Sequence, residues 1–209
     1  MTKHLLSGHA HFRSEYFSGE AAFLRDLATN GQKPSALYVG CSDSRVIPEL
    51  LTSSRPGELF VVRNIANLIP KLENADASVG AAIEYAIAVL KVPHLIVCGH
   101  DGCGGVRAAL DGVDKVKHLP SLNEWLEGVA PAATSAKALQ LGGDALLRAA
   151  VEANVLNQMD NLITFPIVAD ALIQGHLALH GWVYDLADGK VRVYDVVREE
   201  FAPADQVQA

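Results

Sequence analysis

Ala36-Leu37-Tyr38-Val39-Gly40-Cys41-Ser42-Asp43-Ser44-Arg45 joins a short apolar run to a loop carrying cysteine, aspartate and arginine. A second stretch, Leu95-Ile96-Val97-Cys98-Gly99-His100-Asp101-Gly102-Cys103-Gly104-Gly105, repeats the arrangement with histidine, aspartate and cysteine. Continuous apolar runs of this length, bounded by glycine, read as strands covered on both faces. Between them, Leu59-Phe60-Val61-Val62 follows the Pro56-Gly57 turn and reads as another strand. Strand, loop and helix alternate through this half. The pattern predicts one α/β domain with a mainly parallel central β-sheet flanked by helices. Right-handed crossovers then put the first and third strand ends side by side, and open α/β sheets bind ligands at such carboxyl ends.

Outward from these strands, residues 13–30 form an amphipathic helix on Phe17, Phe23, Leu24 and Leu27, closed by Gly31. Residues 1–31 are therefore read as an N-terminal helical arm and 32–209 as the body. Residues 46–51 make a helical turn, 77–90 a helix, and 104–110 a helix opened by Gly104-Gly105. From Pro120 the pattern is helical and alanine-rich over 122–126, 132–139, 144–162 (Asp144 as N-cap) and 166–173. Residues 177–186 and 191–196 then read as a hairpin with a tight Asp188-Gly189 turn.

Half of the 209 residues are hydrophobic and the mean hydropathy is +0.18, enough for a real core. Seventeen basic against 24 acidic residues give a net charge of -7 with no basic run, which excludes a nucleic-acid or anionic-membrane surface. The opening residues lack an apolar segment of signal-peptide length, and the apolar stretch 79–90, interrupted by Glu84, is too short to span a bilayer. A cytoplasmic protein is expected. Its three cysteines are then reduced thiols available for metal or catalysis.

Cys41, His100 and Cys103 supply two thiolates and an imidazole, a set that suits zinc. Three protein ligands leave a fourth position open, and Asp43 is near enough in sequence to compete for it. Arg45 can hold the Asp43 carboxylate away in a bidentate pair. On spacing alone the alternative stands equally: two inert buried thiols and a capping histidine. A phosphate-cradling reading of Gly99–Gly105 lacks both the G-x-G-x-x-G and the Gly-Lys-Ser/Thr spacing. Cys98 reads as a buried hydrophobe, and His9, His11, His118, His176 and His180 as surface or packing histidines.

C-S-D-S-R at 41–45, R-N-I-A-N at 63–67 and G-H-x-x-C-G-G at 99–105, in that order, closely resemble the β-class carbonic anhydrases. The likeness runs from Gln32 to the Leu179-His180-Gly181-Trp182-Val183-Tyr184 segment. It implies one zinc ion per subunit on Cys41, His100 and Cys103, and reversible hydration of carbon dioxide to bicarbonate and a proton by attack of zinc-bound hydroxide. It makes Asp43 and Arg45 the catalytic dyad, with Asp43 on the metal only in a closed state. Gln32, Phe60, Ile65 and Tyr85 match the family's substrate pocket, which in relatives lies at a dimer interface. The resemblance thus implies a homodimer at least, with tetramers left open, and makes 32–209 the catalytic domain. Tyr38 stands where one style of the family has a tryptophan, three residues before the first cysteine, so the open, plant-like style is expected. Two rivals remain at this point: a hydrolase of carbonyl sulfide or carbon disulfide, and a zinc-holding paralogue without turnover.

Overall fold

A computed structural model describes residues 2–207. Among them six strands form one sheet in the order β2-β1-β3-β4-β5-β6. These are β1 (Ala36–Cys41), β2 (Leu59–Asn64), β3 (His94–His100), β4 (Ala178–Tyr184), β5 (Val191–Asp195) and β6 (Glu200–Pro203). The four strands β2, β1, β3 and β4 are mutually parallel, and β5 and β6 extend the sheet antiparallel. Every residue of β1 is buried, as are all of β3 after His94. Their unbroken apolar sequences follow from that position in the middle of the sheet.

The chain leaves β1 through α3 (Pro48–Leu51) for β2 on one side, then crosses back through α4 (Ala77–Glu84) to β3 on the other side. Strand order reverses between β1 and β3, so a crevice opens between their carboxyl ends, as the alternation predicted. Both loops that carry chemistry lie there.

One face of the sheet holds the main core. Leu37, Val39, Leu95, Val97 and Val183 pack beneath Val151 and Val155 of α8 (Gly143–Ile163). Helices α5 (Gly104–Asp111) and α7 (Ala130–Ala138), with α6 (Pro120–Leu126) between them in the chain, pack against α8 in turn. On the opposite face Ala36, Tyr38, Ile96 and Cys98 form a smaller buried cluster edged by Leu59, Val61, Trp182 and Tyr184. Burial pushes the Cys98 thiol up to about 12, which fits the inert hydrophobe expected of it.

Several boundaries differ from the sequence reading. The N-terminal helical segment starts at α1 (Lys3–Phe12), continues through a π-helical turn at Arg13–Phe17, and ends in α2 (Ala21–Asn30). Periodicity alone hid the first part, because α1 buries no residue and has no core-facing stripe to read. The helix expected over 77–90 widens into a π-helical turn at Tyr85–Val89. Asp76, not read as a cap, accepts from the backbone N–H of Ser78 and Val79, whereas Asp144 lies inside the first turn of α8 and caps nothing. The β4–β5 connection is longer than a two-residue Asp-Gly turn: Asp185 N–H donates to the Lys190 carbonyl, and Gly189 supplies the left-handed step. The sixth strand went unread, since its four residues end in proline.

Candidate metal centre

Cys41 is the last residue of β1, His100 the last of β3, and Cys103 the residue that opens α5. Their ligating atoms all lie within 4.8 Å of one another, and all three residues are buried. The two sulfurs are 4.0 Å apart, and His100 Nε2 is buried with no hydrogen-bond partner. An imidazole nitrogen that is desolvated and unpaired is costly, and three such soft donors aimed at one point fit a zinc ion. The chemistry of the donor set and that orphan nitrogen are the grounds for the fit.

Electrostatics point the same way. The Cys41 thiol is brought down to about 4, chiefly because Cys103 donates to its sulfur and because His100 stands beside it, against the cost of burial. Cys103 is pushed up by the same contact and by burial, so the ion-free pair holds one proton; the N–H groups of Gly105 and Val106 partly offset this. Burial opposes protonation of His100, yet the Cys41 thiolate outweighs it and raises the imidazole pKa. A divalent cation would replace those protons.

Asp43 lies beside the cluster, one carboxylate oxygen 3.8 Å from His100 Nε2. Arg45 takes it in a fork: Nε donates to Oδ1 at 2.9 Å and Nη2 to Oδ2 at 2.7 Å, and the Arg45 backbone N–H adds a third bond at 3.0 Å. These bonds hold the Asp43 carboxyl well below the usual carboxylate range. The loop itself is fixed from β2: Arg63 donates through Nε to the Cys41 carbonyl and through Nη2 to the Asp43 carbonyl.

Ile65 closes one side. A Cβ on Gly105 would come within 2.9 Å of its side chain, so Ile65 rests directly on the residue two past Cys103 and glycine is required there. Segment 65–69 is strained, with Ala66 and Asn67 at positive φ. Three amides of α8 secure it. Asn154 and Asn161 donate to the carbonyls of Ala66 and Ile69, and Gln158 accepts from the Ile69 N–H. Sequence reading took that helix as alanine-rich scaffold. The recoverable signal was amides at 154, 158 and 161, one stripe of a helix otherwise apolar toward the core.

The structure does not bring the remaining pocket residues to this cluster within one chain. Phe60 pairs with Leu37, four residues before Cys41 on β1, hence about 13 Å down the strand. Tyr85 packs against Phe60 with ring centroids 5.8 Å apart and the planes tilted by 32°, and is 46% exposed. Gln32 is exposed, ahead of the amino end of β1. These three belong to the opposite end of the sheet, whereas Ile65 sits at the carboxyl end with the loops that carry Cys41, His100 and Cys103.

An α/β sheet with a cysteine–histidine–cysteine centre at its switch point and a paired aspartate beside it defines a class of metalloenzyme. The family model described as carbonic anhydrase matches residues 36–191. A carbonic anhydrase of Synechocystis is 40% identical over 98% of this chain and 76% of its own length. One from Pseudomonas aeruginosa is 40% identical over 94% of this chain and 89% of its own. Among solved structures, the β-carbonic anhydrase CcaA superposes with a TM-score of 0.92 at 38% identity, covering 96% of this chain and 98% of that one. The chain belongs to the carbonic anhydrase family, in its β class, and is an enzyme of that family. No helix among the described residues is long and apolar enough to cross a membrane.

Proposed function

We propose that this chain catalyses reversible hydration of carbon dioxide to bicarbonate and a proton, with one zinc ion held by Cys41 Sγ, His100 Nε2 and Cys103 Sγ. The observation that carries the reading is the buried, unpaired His100 nitrogen facing two sulfurs, with the nearby carboxylate drawn aside by Arg45. Zinc in such a site supplies Lewis acidity that makes water nucleophilic near neutral pH.

The protein's own groups do the rest. Asp43, ionised throughout the working range, accepts a hydrogen bond from the attacking water and aims its lone pair at the carbon of carbon dioxide. Arg45 keeps that carboxylate off the ligand cluster, which supports the open style of site. Ile65 forms an apolar wall that favours a small uncharged substrate.

Gln32, Phe60 and Tyr85 complete the cleft of a second subunit rather than their own, because the register of β1 and β2 holds Phe60, with Tyr85 against it, about 13 Å along the strand from Cys41, and Gln32 precedes the amino end of β1. A homodimer is therefore the working unit, with residues 32–209 as catalytic domain and 1–31 as an arm. The arm's exposed Leu5, Leu6, Phe12 and Tyr16 support an apolar contact with that partner. One solved neighbour is described as a tetrameric β-carbonic anhydrase of Sordaria macrospora, 32% identical with a TM-score of 0.79; pairing of dimers is compatible with the same arrangement. Three free cysteines suit a reducing, cytoplasmic setting. Stopped-flow carbon dioxide hydration on protein of measured zinc content tests the proposal: turnover should scale with zinc and fall by about 10²- to 10³-fold in Asp43→Ala, which should still hold the metal.

A further inference from the structure

The turn that carries two of the three ligand residues is fastened from an unexpected direction. Asp101, between His100 and Cys103, reaches away from the centre to Arg192 on β5. Arg192 Nη1 donates to Asp101 Oδ2 and Nη2 to Oδ1, both at 3.1 Å. The same guanidinium donates to Glu152 of α8 at 3.2 Å through Nε, and Arg148, one helical turn earlier, stands 3.8 Å from Asp101. Two carboxylates and two guanidiniums thus balance. The central pair is sheltered, with Asp101 and Arg192 side chains only 18% and 16% exposed, where a forked pair has both geometric specificity and strength.

The main chain of Asp101 is where this matters. Its N–H donates to the Tyr184 carbonyl at the end of β4, and its carbonyl lies 3.0 Å from His100 Nδ1. A carbonyl only accepts, so Nδ1 carries the proton and Nε2 presents its lone pair to the two sulfurs. The next residue, Gly102, takes φ +70, the left-handed step by which the turn reaches Cys103. Neither Arg192 nor Asp101 touches the ligand atoms.

We infer that the Asp101–Arg192 clamp, braced by Glu152 and Arg148, positions the 100–103 turn for metal retention, making Asp101 and Arg192 positioning residues of the centre. The inference rests on the metal reading above. Groups that orient metal-binding histidines typically govern affinity by about 10- to 100-fold. Without Arg192, Asp101 and Glu152 become two neighbouring carboxylates that have lost the guanidinium forked between them, and the side-chain hold on the turn is reduced to the longer Arg148 contact.

The test uses full-length protein loaded with zinc, with zinc release to a chromogenic chelator followed in time. Arg192→Ala and Asp101→Asn should release zinc about 10- to 100-fold faster than the parent, with Arg192→Lys between them. Asp101→Asn keeps the side-chain shape and the carbonyl, so it reports the clamp should Arg192→Ala fail to fold. Melting temperatures of zinc-free and zinc-loaded samples separate positioning from general stability: the increment conferred by zinc should shrink in the variants. Release within about 2-fold of the parent, or equal losses of melting temperature with and without zinc, would overturn the clamp. A parent protein that fails to hold stoichiometric zinc would instead overturn the metal reading, so the two failures are distinct.

Discussion

The two ends of β1 are finished to different degrees. At its carboxyl end, Cys41 is buried, its carbonyl is bonded to Arg63, and its sulfur meets Cys103 and faces His100. Around that end, the strained 65–69 segment, the Asp43–Arg45 fork and the Asp101–Arg192 pair are each satisfied within the chain. At the amino end, Phe60 and a half-exposed Tyr85 pack together at the sheet edge, Gln32 is exposed, and the helices before them bury nothing. One end reads as a completed centre and the other as half of an interface. On the proposed function, a single subunit carries the reactive groups and the Ile65 wall, while Gln32, Phe60 and Tyr85 serve the cleft of a partner.

The hardest blow to the completed end is loss of a ligand. His100→Ala or Cys103→Ser should lose zinc and at least about a thousandfold of kcat/KM, read by metal analysis and stopped-flow on one sample; retained turnover would break the metal reading. Next comes Asp43→Ala, expected to lower kcat/KM by about 10²- to 10³-fold while zinc stays bound, the scale for removing one preorganised polar group.

The open end is probed by mixing subunits. Tyr85→Ala alone should cost about tenfold, roughly 1.4 kcal/mol of barrier. Co-expressed with Asp43→Ala, it should form mixed dimers in which one of the two sites is intact, restoring activity above either parent variant. No restoration would mean that each subunit builds its own cleft.

Acidity probes the fork between Asp43 and Arg45. Because the folded Asp43 pKa is lowered, the pair's contribution is present above the ordinary carboxylate value of about 3.9 and fades only as pH falls through the folded value beneath it. Zinc-edge absorption should therefore show unchanged sulfur, nitrogen and oxygen coordination from pH 6 to 9. A carboxylate appearing on the metal toward pH 6 would contradict the open style. The smallest effect expected is in stability: Asp76→Ala removes the α4 cap and should cost about 1 kcal/mol by denaturant unfolding, without altering turnover.

Much of the completed end was legible because its signals are local. Two apolar runs, each ending in glycine and a ligating residue, are enough to put Cys41 and His100 at neighbouring strand ends. The fork of Asp43 and Arg45 was legible for the same reason, being only two residues apart. What escaped reading is long-range. Arg192 lies 91 positions from Asp101, and the amides of α8 lie 88 to 92 positions from the backbone groups they bond. Nothing in a window of a few residues couples such sites. The arm failed differently: a helix whose apolar side chains stay exposed has no period anchored to this chain's core.

On the proposed function, this centre turns over carbon dioxide with its fourth position open at neutral pH. Stopped-flow hydration at pH 7 and pH 8.5, with zinc quantified on the same sample, addresses it most directly. Zinc-proportional turnover at both values is predicted. Activity confined to pH 8.5 would contradict the open site, and stoichiometric zinc with no turnover at either value would contradict the proposed reaction.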